Sequence, residues 1–159
     1  MTRSGIGWDS HRLAAGHRLV LGGVELEHHA GLVGHSDADV LAHAVIDALL
    51  GAAGLGDIGQ HFPDTDPAFA GADSLALLRE VVVRAAAAGW RPVHVDTTVV
   101  LERPKLKDHR EAIRANLAAA LGLAPADVNV KATTGEGIGF VGREEGVAAL
   151  AVATVEPAG

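Results

Sequence analysis

The sequence predicts an α/β sandwich, a mixed β-sheet with helices over one face. Its periodic segments run strand, hairpin, helix, helix, strand, helix, strand, strand, the order of a single layered domain. The 159 residues suit one domain, 1–159, large enough to bury a substantial core. The 48 % hydrophobic content comes largely from Ala, Val and Leu with only 3 % aromatics, so the core is built of small side chains. A sheet covered by helices on one face needs a cover for the other. In so short a chain the simplest cover is another copy, which predicts a homo-oligomer.

The elements follow in order. Arg3 to Trp8 and His17 to Leu26 read as extended, the second broken by Gly22-Gly23 as a hairpin or bulge. Val40, Leu41, Ala44, Val45, Ala48, Leu49 and Ala52 recur at helical spacing, predicting a helix from Ser36 or Asp37 to about Ala53. Gly54 to Asp73 is dense in Gly, Pro and Asp, a long ordered loop of the kind usually kept for function. Asp73 or Ser74 caps a second helix to about Ala88, stopped by Gly89. Val93 to Leu101 alternates as a strand, Pro104 breaks it, and a third amphipathic helix spans about Lys107 to Leu121. Val128 to Thr133 is a short strand, GEGIGF a glycine-rich loop, and Gly146 to Val155 a last apolar strand.

Composition removes several classes of function. The net charge is −7, no run of Lys or Arg could track a phosphate backbone, and no Tyr, two Trp and three Phe leave little to stack on bases. Nucleic acid is therefore not an expected partner. With no cysteine, any transition metal must sit on imidazole and carboxylate. The N-terminus lacks an apolar signal core, and His43 and Asp47 interrupt the most apolar helix. No membrane association is expected, and a soluble cytoplasmic protein is the default.

Four stretches carry chemistry. In GIGWDSHRL, Gly5 to Leu13, an extended chain would project Asp9 and His11 to the same side, a bidentate reach for one metal or simply a solvated turn. His43 lies on the first helix with Asp39 and Asp47 four residues to either side. It is either a buried histidine bonded to Asp47 or the third ligand of a His₂Asp set with one open position, the pattern of catalytic zinc. In the second case Asp47 is the candidate acceptor that fixes the imidazole tautomer. GHSDAD, Gly34 to Asp39, sets His35 and Ser36 at a helix entrance, where backbone N–H groups cap the helix or hold a phosphate. The carboxylates of DIGQHFPDTD, Asp57 to Asp66, serve a ligand or order the loop through Asx turns. Finally, VKATTGEGIGF, Val130 to Phe140, offers Lys131, two threonines and Glu136 beside glycines, either a site for a nucleotide with Mg²⁺ or a hairpin.

Together these motifs resemble the 2-C-methyl-D-erythritol 2,4-cyclodiphosphate synthase family. The resemblance is carried by G-x-D-x-H at Gly7 to His11, HSDAD-x-x-x-H at His35 to His43, DALLGAAGLGDIGQHFPDTDP at Asp47 to Pro67, ERPK at Glu102 to Lys105, and VNVKATTGEGIGFVGREEG at Val128 to Gly146. It implies a ferredoxin-like subunit and a homotrimer with active sites at the subunit interfaces. The reaction implied converts 4-diphosphocytidyl-2-C-methyl-D-erythritol 2-phosphate to the cyclic diphosphate and CMP. Asp9, His11 and His43 would hold Zn²⁺, and Glu136 would help hold Mg²⁺ or Mn²⁺. His35 and Thr134 match transition-state-stabilising positions, with Ser10 and Ser36 touching substrate beside them. Asp57, Ile58, Gly59 and the stretch Phe62, Pro63, Asp64, Thr65, Asp66 would line the erythritol pocket. Cytidine would be received by Leu101, Glu102, Arg103, Pro104, Lys105, Leu106 and Lys107, with Thr133, Thr134, Gly135 and Glu136. Phe140 and Arg143 match further ligand contacts, Arg143 near the trimer axis. No protein nucleophile is needed, because the attacking oxygen belongs to the substrate. The chain departs from the family's usual pattern at Ala38, Gly135 and Gly137, and the two glycines are expected to loosen their loop.

Overall fold

The structure, a computed structural model, describes all residues Met1–Gly159. In chain order the elements are β1 (Arg3–Ala14), β2 (Leu19–Leu21), β3 (Val24–Leu26), β4 (Gly31–Leu32), α1 (Val40–Ala53), one-turn α2 (Ile58–His61), α3 (Ser74–Ala87), β5 (Trp90–Val100), α4 (Arg110–Leu121), β6 (Val128–Thr133), one-turn α5 (Gly139–Gly142) and β7 (Gly146–Pro157). Short 3₁₀ turns occupy Pro67–Phe69 and Pro125–Asp127. The main sheet has the order β4-β1-β7-β5-β6 and is antiparallel throughout except at β5–β6. That parallel pair requires a crossover, and α4 supplies it. The mixed sheet with helices on one face is the fold the sequence predicts.

α1 lies on β1 and β7, while α3 and α4 extend the helical layer over β5 and β6. Between the layers, Val95, Val99, Ala149, Ala151, Ala153 and Val155 meet Leu41, Leu49, Leu78 and Leu117 in one core. Strand alternation sends the intervening residues to the other face. There Ile6 (69 % exposed) pairs with Val152 (43 %), and Trp8 (54 %) with Leu150 (37 %). Four large apolar side chains in adjacent register form an open patch on that face.

Several boundaries move, each for a local reason. β1 continues to Ala14, so Asp9 and His11 lie inside a paired strand and not beyond its end. α1 starts at Val40, after Ser36 and Asp37, because Ala38 has φ +57° and cannot belong to a right-handed helix. Asp39 is the N-cap, accepting from Ala42 N at 3.0 Å. Its buried carboxylate also accepts from Gly22 N at 2.9 Å and Gly23 N at 2.8 Å, fastening the two-residue β2–β3 turn to α1. Burial pushes the Asp39 carboxyl up, against the three N–H groups that favour its charged form. β5 begins at Trp90, three residues before the alternation suggested. Pro92 is tolerated there because pairing to β6 starts only at Val95, leaving its missing N–H on an open edge. α4 begins at Arg110 instead of Lys107. No helix is long and apolar enough to cross a membrane.

The contact that places the functional residues is between backbones. Gly5, Gly7, Asp9 and His11 share the helix-facing side of β1. A Cβ on Gly5 would stand 2.2 Å from the Ala48 carbonyl oxygen, and one on Gly7 1.9 Å from that of Ala44. With Ala44, Ala48 and Ala52 along the facing side of α1, helix and strand touch with almost nothing between them. These glycines make room for a helix.

Gly7→Ala is accordingly expected to lower unfolding free energy by about 3 kcal/mol, because the neighbour that must yield is main chain. Gly51 provides the contrast, since a Cβ there meets nothing closer than 3.9 Å. Gly51→Ala should stabilise by about 0.5–1 kcal/mol through helix propensity alone. Urea denaturation of both variants beside the parent checks the pair.

Candidate metal centre and adjoining cavities

Asp9 and His11 extend from β1 toward the first turns of α1, where buried His43 meets them. The Asp9 Oδ2 is 2.9 Å from His11 Nε2 and 3.1 Å from His43 Nδ1, and the two imidazole nitrogens are 3.2 Å apart. The far nitrogen of each ring is engaged elsewhere. His11 Nδ1 donates to the Val33 carbonyl at 2.8 Å, and His43 Nε2 lies 2.8 Å from the Ser74 hydroxyl and 3.1 Å from that of Ser36. In neutral rings so engaged, both near nitrogens present lone pairs. Two nitrogen lone pairs and a carboxylate oxygen then converge with no donor among them. Such an arrangement calls for a cation, and a His₂Asp set is a donor set for a divalent transition metal.

Without a cation, a proton on a near nitrogen takes its place: burial alone would raise Asp9, but hydrogen bonds from His11 and then His43 outweigh it and hold the carboxyl down at about 2. Burial likewise pushes His11 down, and the Asp9 carboxylate more than offsets this, so its net shift is upward from 6.5. A proton on His11 is thus the natural competitor of a metal at this centre.

The triad forms the floor of a cavity of about 380 Å³, whose rim includes His35, Ser36 and Asp64 and whose apolar wall includes Ile58, Phe62, Phe69 and Leu77. Gly59 and Pro63 complete the α2 side. Asp57 turns away from the cavity: with Gln60 it forms a capping box that starts α2. Asp66 caps the Pro67–Phe69 turn through Ala68 N at 2.9 Å, while its carbonyl accepts from His35 Nε2 at 2.9 Å. Thr65 is exposed in the same loop but outside the cavity lining. His35 and Ser36 precede α1 by a full turn, so the helix entrance predicted for them is occupied by Asp39 instead.

A second cavity, about 170 Å³, is lined by Leu101, Glu102, Pro104, Lys105, Leu106, Lys107, Thr133 and Thr134, together with Ala132 and Arg110. Arg103, Gly135 and Glu136 adjoin this lining without entering it. Glu102 accepts from Gly135 N, tying the two walls together. A Cβ on Gly135 would meet Gly142 N at 2.8 Å, and Gly137 has φ +72°. These glycines are required by packing and backbone conformation and do not loosen the loop. Ser10 and Phe140 share a third cavity with Arg12 and Glu145; Arg143 is exposed and pairs with Glu145 at 3.2 Å.

Two further expectations are overturned and one partner was missed. Asp47 does not touch His43; its carboxylate accepts from Ile58 N at 3.1 Å and so caps α2. Lys131 lies 2.8 Å from Asp96 Oδ2, and its hydrogen bond is the main cause that lowers the Asp96 carboxyl. It does not line the cavity formed by Thr133 and Thr134. Ser74, on α3, is the hydroxyl closest to His43, and no local spacing pointed to it, because 31 residues separate them.

The sequence matches the model of the YgbB family over residues 2–156. It is 62 % identical to the 2-C-methyl-D-erythritol 2,4-cyclodiphosphate synthase of Salinibacter ruber, over 98 % of this chain and 99 % of that protein. It is 65 % identical to the bifunctional enzyme IspD/IspF of Anaeromyxobacter dehalogenans over 94 % of its length, and spans 39 % of that longer protein. Among solved structures, a 2C-methyl-D-erythritol-2,4-cyclodiphosphate synthase in a CDP-bound form superposes with a TM-score of 0.89 at 39 % identity, over 97 % of this chain and all of that one.

Metal-free protein is expected to bind one divalent transition-metal ion per chain, and Asp9→Asn or His43→Ala to abolish tight binding. Because Asp9 is already ionised and His11 holds its proton above the ordinary 6.5, affinity should fall about tenfold per pH unit as pH drops through that raised value. Calorimetric titration across this range checks the slope.

Proposed function

The chain belongs to the YgbB family, and from that membership and the metal-centre geometry we propose that it converts 4-diphosphocytidyl-2-C-methyl-D-erythritol 2-phosphate to 2-C-methyl-D-erythritol 2,4-cyclodiphosphate and CMP. This is a lyase step of non-mevalonate isoprenoid biosynthesis, placed in the cytoplasm. The observation that carries the reading is the convergence of Asp9, His11 and His43, without a donor among them, at the floor of a cavity with one polar rim and one apolar wall.

In this reaction an oxygen of the 2-phosphate attacks the β-phosphorus. The bond from that phosphorus to the bridging oxygen breaks, and CMP leaves with the oxygen and its electron pair. Asp9, His11 and His43 would hold Zn²⁺, and Glu136, whose backbone N–H is fixed to Thr134 Oγ1 at 3.1 Å, would contribute to a Mg²⁺ or Mn²⁺ site. When bound, the cations polarise phosphate oxygens and lower the charge that the attacking anion must approach. His35, its Nε2 committed to the Asp66 carbonyl, keeps its ring at the rim beside the Ser36 hydroxyl, where both can meet phosphate oxygens. Ile58, Phe62 and Leu77 exclude water from the apolar wall, and water is the competitor that would yield a linear product. Asp57, Gly59 and the Pro63 to Asp66 loop shape the erythritol end. Cytidine occupies the second cavity, held by the main chain from Leu101 to Lys107, with Thr133, Thr134 and Gly135 opposite.

No residue lines both cavities, and His35 and Thr134 stand in different ones. These two cavities are proposed to meet between subunits. We assign the open apolar patch of Ile6, Trp8, Leu150 and Val152 to a homotrimer interface that brings one subunit's cytidine cavity to its neighbour's metal centre, with Ser10 and Phe140 as further ligand contacts and Arg143 near the axis.

Phosphorus NMR with a CMP assay tests the reaction. The cyclic diphosphate should form with stoichiometric CMP, and His43→Ala should lower kcat roughly a hundred- to a thousandfold. A linear monophosphate as sole product would overturn the cyclisation. For the assembly, the native mass should equal three 16.2-kDa chains. Leu150→Asp should give a single-chain mass, retained metal binding and no CMP release.

A further inference from the structure

His43 Nε2, the nitrogen directed away from the metal centre, has two hydroxyls within reach, and they are not equivalent. The Ser36 Oγ lies at the cavity rim, 3.1 Å from Nε2, and accepts from Ala38 N at 3.2 Å. The Ser74 Oγ is fully buried, closer at 2.8 Å, and backed by a carboxylate. Its hydroxyl donates to Asp37 Oδ1, and its backbone N–H donates to Asp37 Oδ2 at 3.0 Å. Asp37 is fixed in turn: its Oδ1 accepts from Asp39 N at 3.1 Å, and its own N–H donates to the Ala72 carbonyl at 3.0 Å.

A serine hydroxyl has one proton. With that proton given to Asp37, the Ser74 oxygen can face His43 only as an acceptor, so Nε2 must carry its hydrogen and Nδ1 must present a lone pair. We propose that Asp37 and Ser74 are positioning residues of the metal centre: the carboxylate orients the hydroxyl, and the hydroxyl fixes the tautomer and ring plane of His43. The inference rests on the reading that Asp9, His11 and His43 bind a metal. It assigns to a serine interposed from α3 the task usually performed by a carboxylate or carbonyl directly behind a ligating histidine. The same arrangement keeps the Ser36 hydroxyl free for the cavity.

The test uses full-length protein stripped of metal, with zinc affinity measured against a chromophoric chelator and the His43 tautomer read from imidazole nitrogen shifts in the metal-free state. Ser74→Ala is expected to weaken zinc binding roughly 10- to 100-fold and to reduce the Nε2–H tautomer of His43. Asp37→Asn should weaken it less, since an amide oxygen still accepts from the hydroxyl. The double variant should be no weaker than Ser74→Ala, because Asp37 acts through Ser74. Affinity of Ser74→Ala within about threefold of the parent with an unchanged tautomer overturns the proposal, as do additive effects in the double variant. Should Ser74→Ala fail to fold, the isosteric Asp37→Asn carries the same comparison. A parent protein that takes up no zinc overturns the metal reading itself, and the tautomer ratio then still decides whether Ser74 orients His43.

Discussion

The backbone contact between α1 and β1 is the constraint on which the rest depends. A helix laid on a sheet normally stands off by the length of the side chains between them. Here Gly5 and Gly7 remove those side chains from the strand, and Ala44, Ala48 and Ala52 shorten them on the helix, so the two main chains meet. The consequence appears one step along each element. The next two helix-facing residues of β1 are Asp9 and His11, and the residue before Ala44 is His43. At ordinary separation these three side chains could not converge within hydrogen-bond distance. Close packing at five small residues is thus translated into coordination geometry.

A second layer of order comes from carboxylates that accept from the main chain. Asp39 fastens the β2–β3 turn to the start of α1, Asp37 fastens the start of α3 to the segment leading into α1, and Asp47, on α1, fastens the start of α2. Each satisfies backbone N–H groups left over at an element's start, the usual need of a helix N-terminus or tight turn. The acidic stretches that look like ligand sets are thus largely the ties that hold the cavity walls. Asp9 is the exception, and its distinguishing feature is company: its oxygen faces two imidazole nitrogens and no main-chain donor.

What was legible in the sequence follows from range. Period-two alternation puts Asp9 and His11 on one side, and β6 was bounded correctly at Val128–Thr133, because strand spacing is a local property. The expectation for Asp47 failed although it also used local spacing. Residues four apart on a helix share a face, but Nε2 of His43 points across to α3, and its partner is 31 residues away. Lys131 failed for the complementary reason: its neighbour Asp96 sits on an adjacent strand, 35 residues distant. Nothing in the sequence marks Gly5 and Gly7 as contact residues, since only the position of α1 reveals which main chain approaches them. The start of α1 moved inward by about a turn because polar residues before a helix look alike until one, here Asp39, is seen to accept from the N3 amide.

Both working surfaces of the molecule derive from one strand. Inward, β1 reads Gly5, Gly7, Asp9, His11; outward it reads Ile6, Trp8, Ser10, the row that continues into Val152 and Leu150 across the register. A slip of one residue would exchange the two rows, burying Ile6 and Trp8 against α1 and carrying both ligands to the open face. Neither half of that exchange is tolerable, since α1 cannot lie down on Trp8 and a patch bearing Asp9 and His11 cannot pack against another apolar face. The ten-residue pairing of β1 with β7, from Arg3–Val155 to Arg12–Gly146, is therefore specified from both sides at once. In the proposed trimer this coupling has a functional consequence: the strand that carries two metal ligands also carries the contacts that bring in the neighbouring subunit, so metal centre and assembly are placed by a single register.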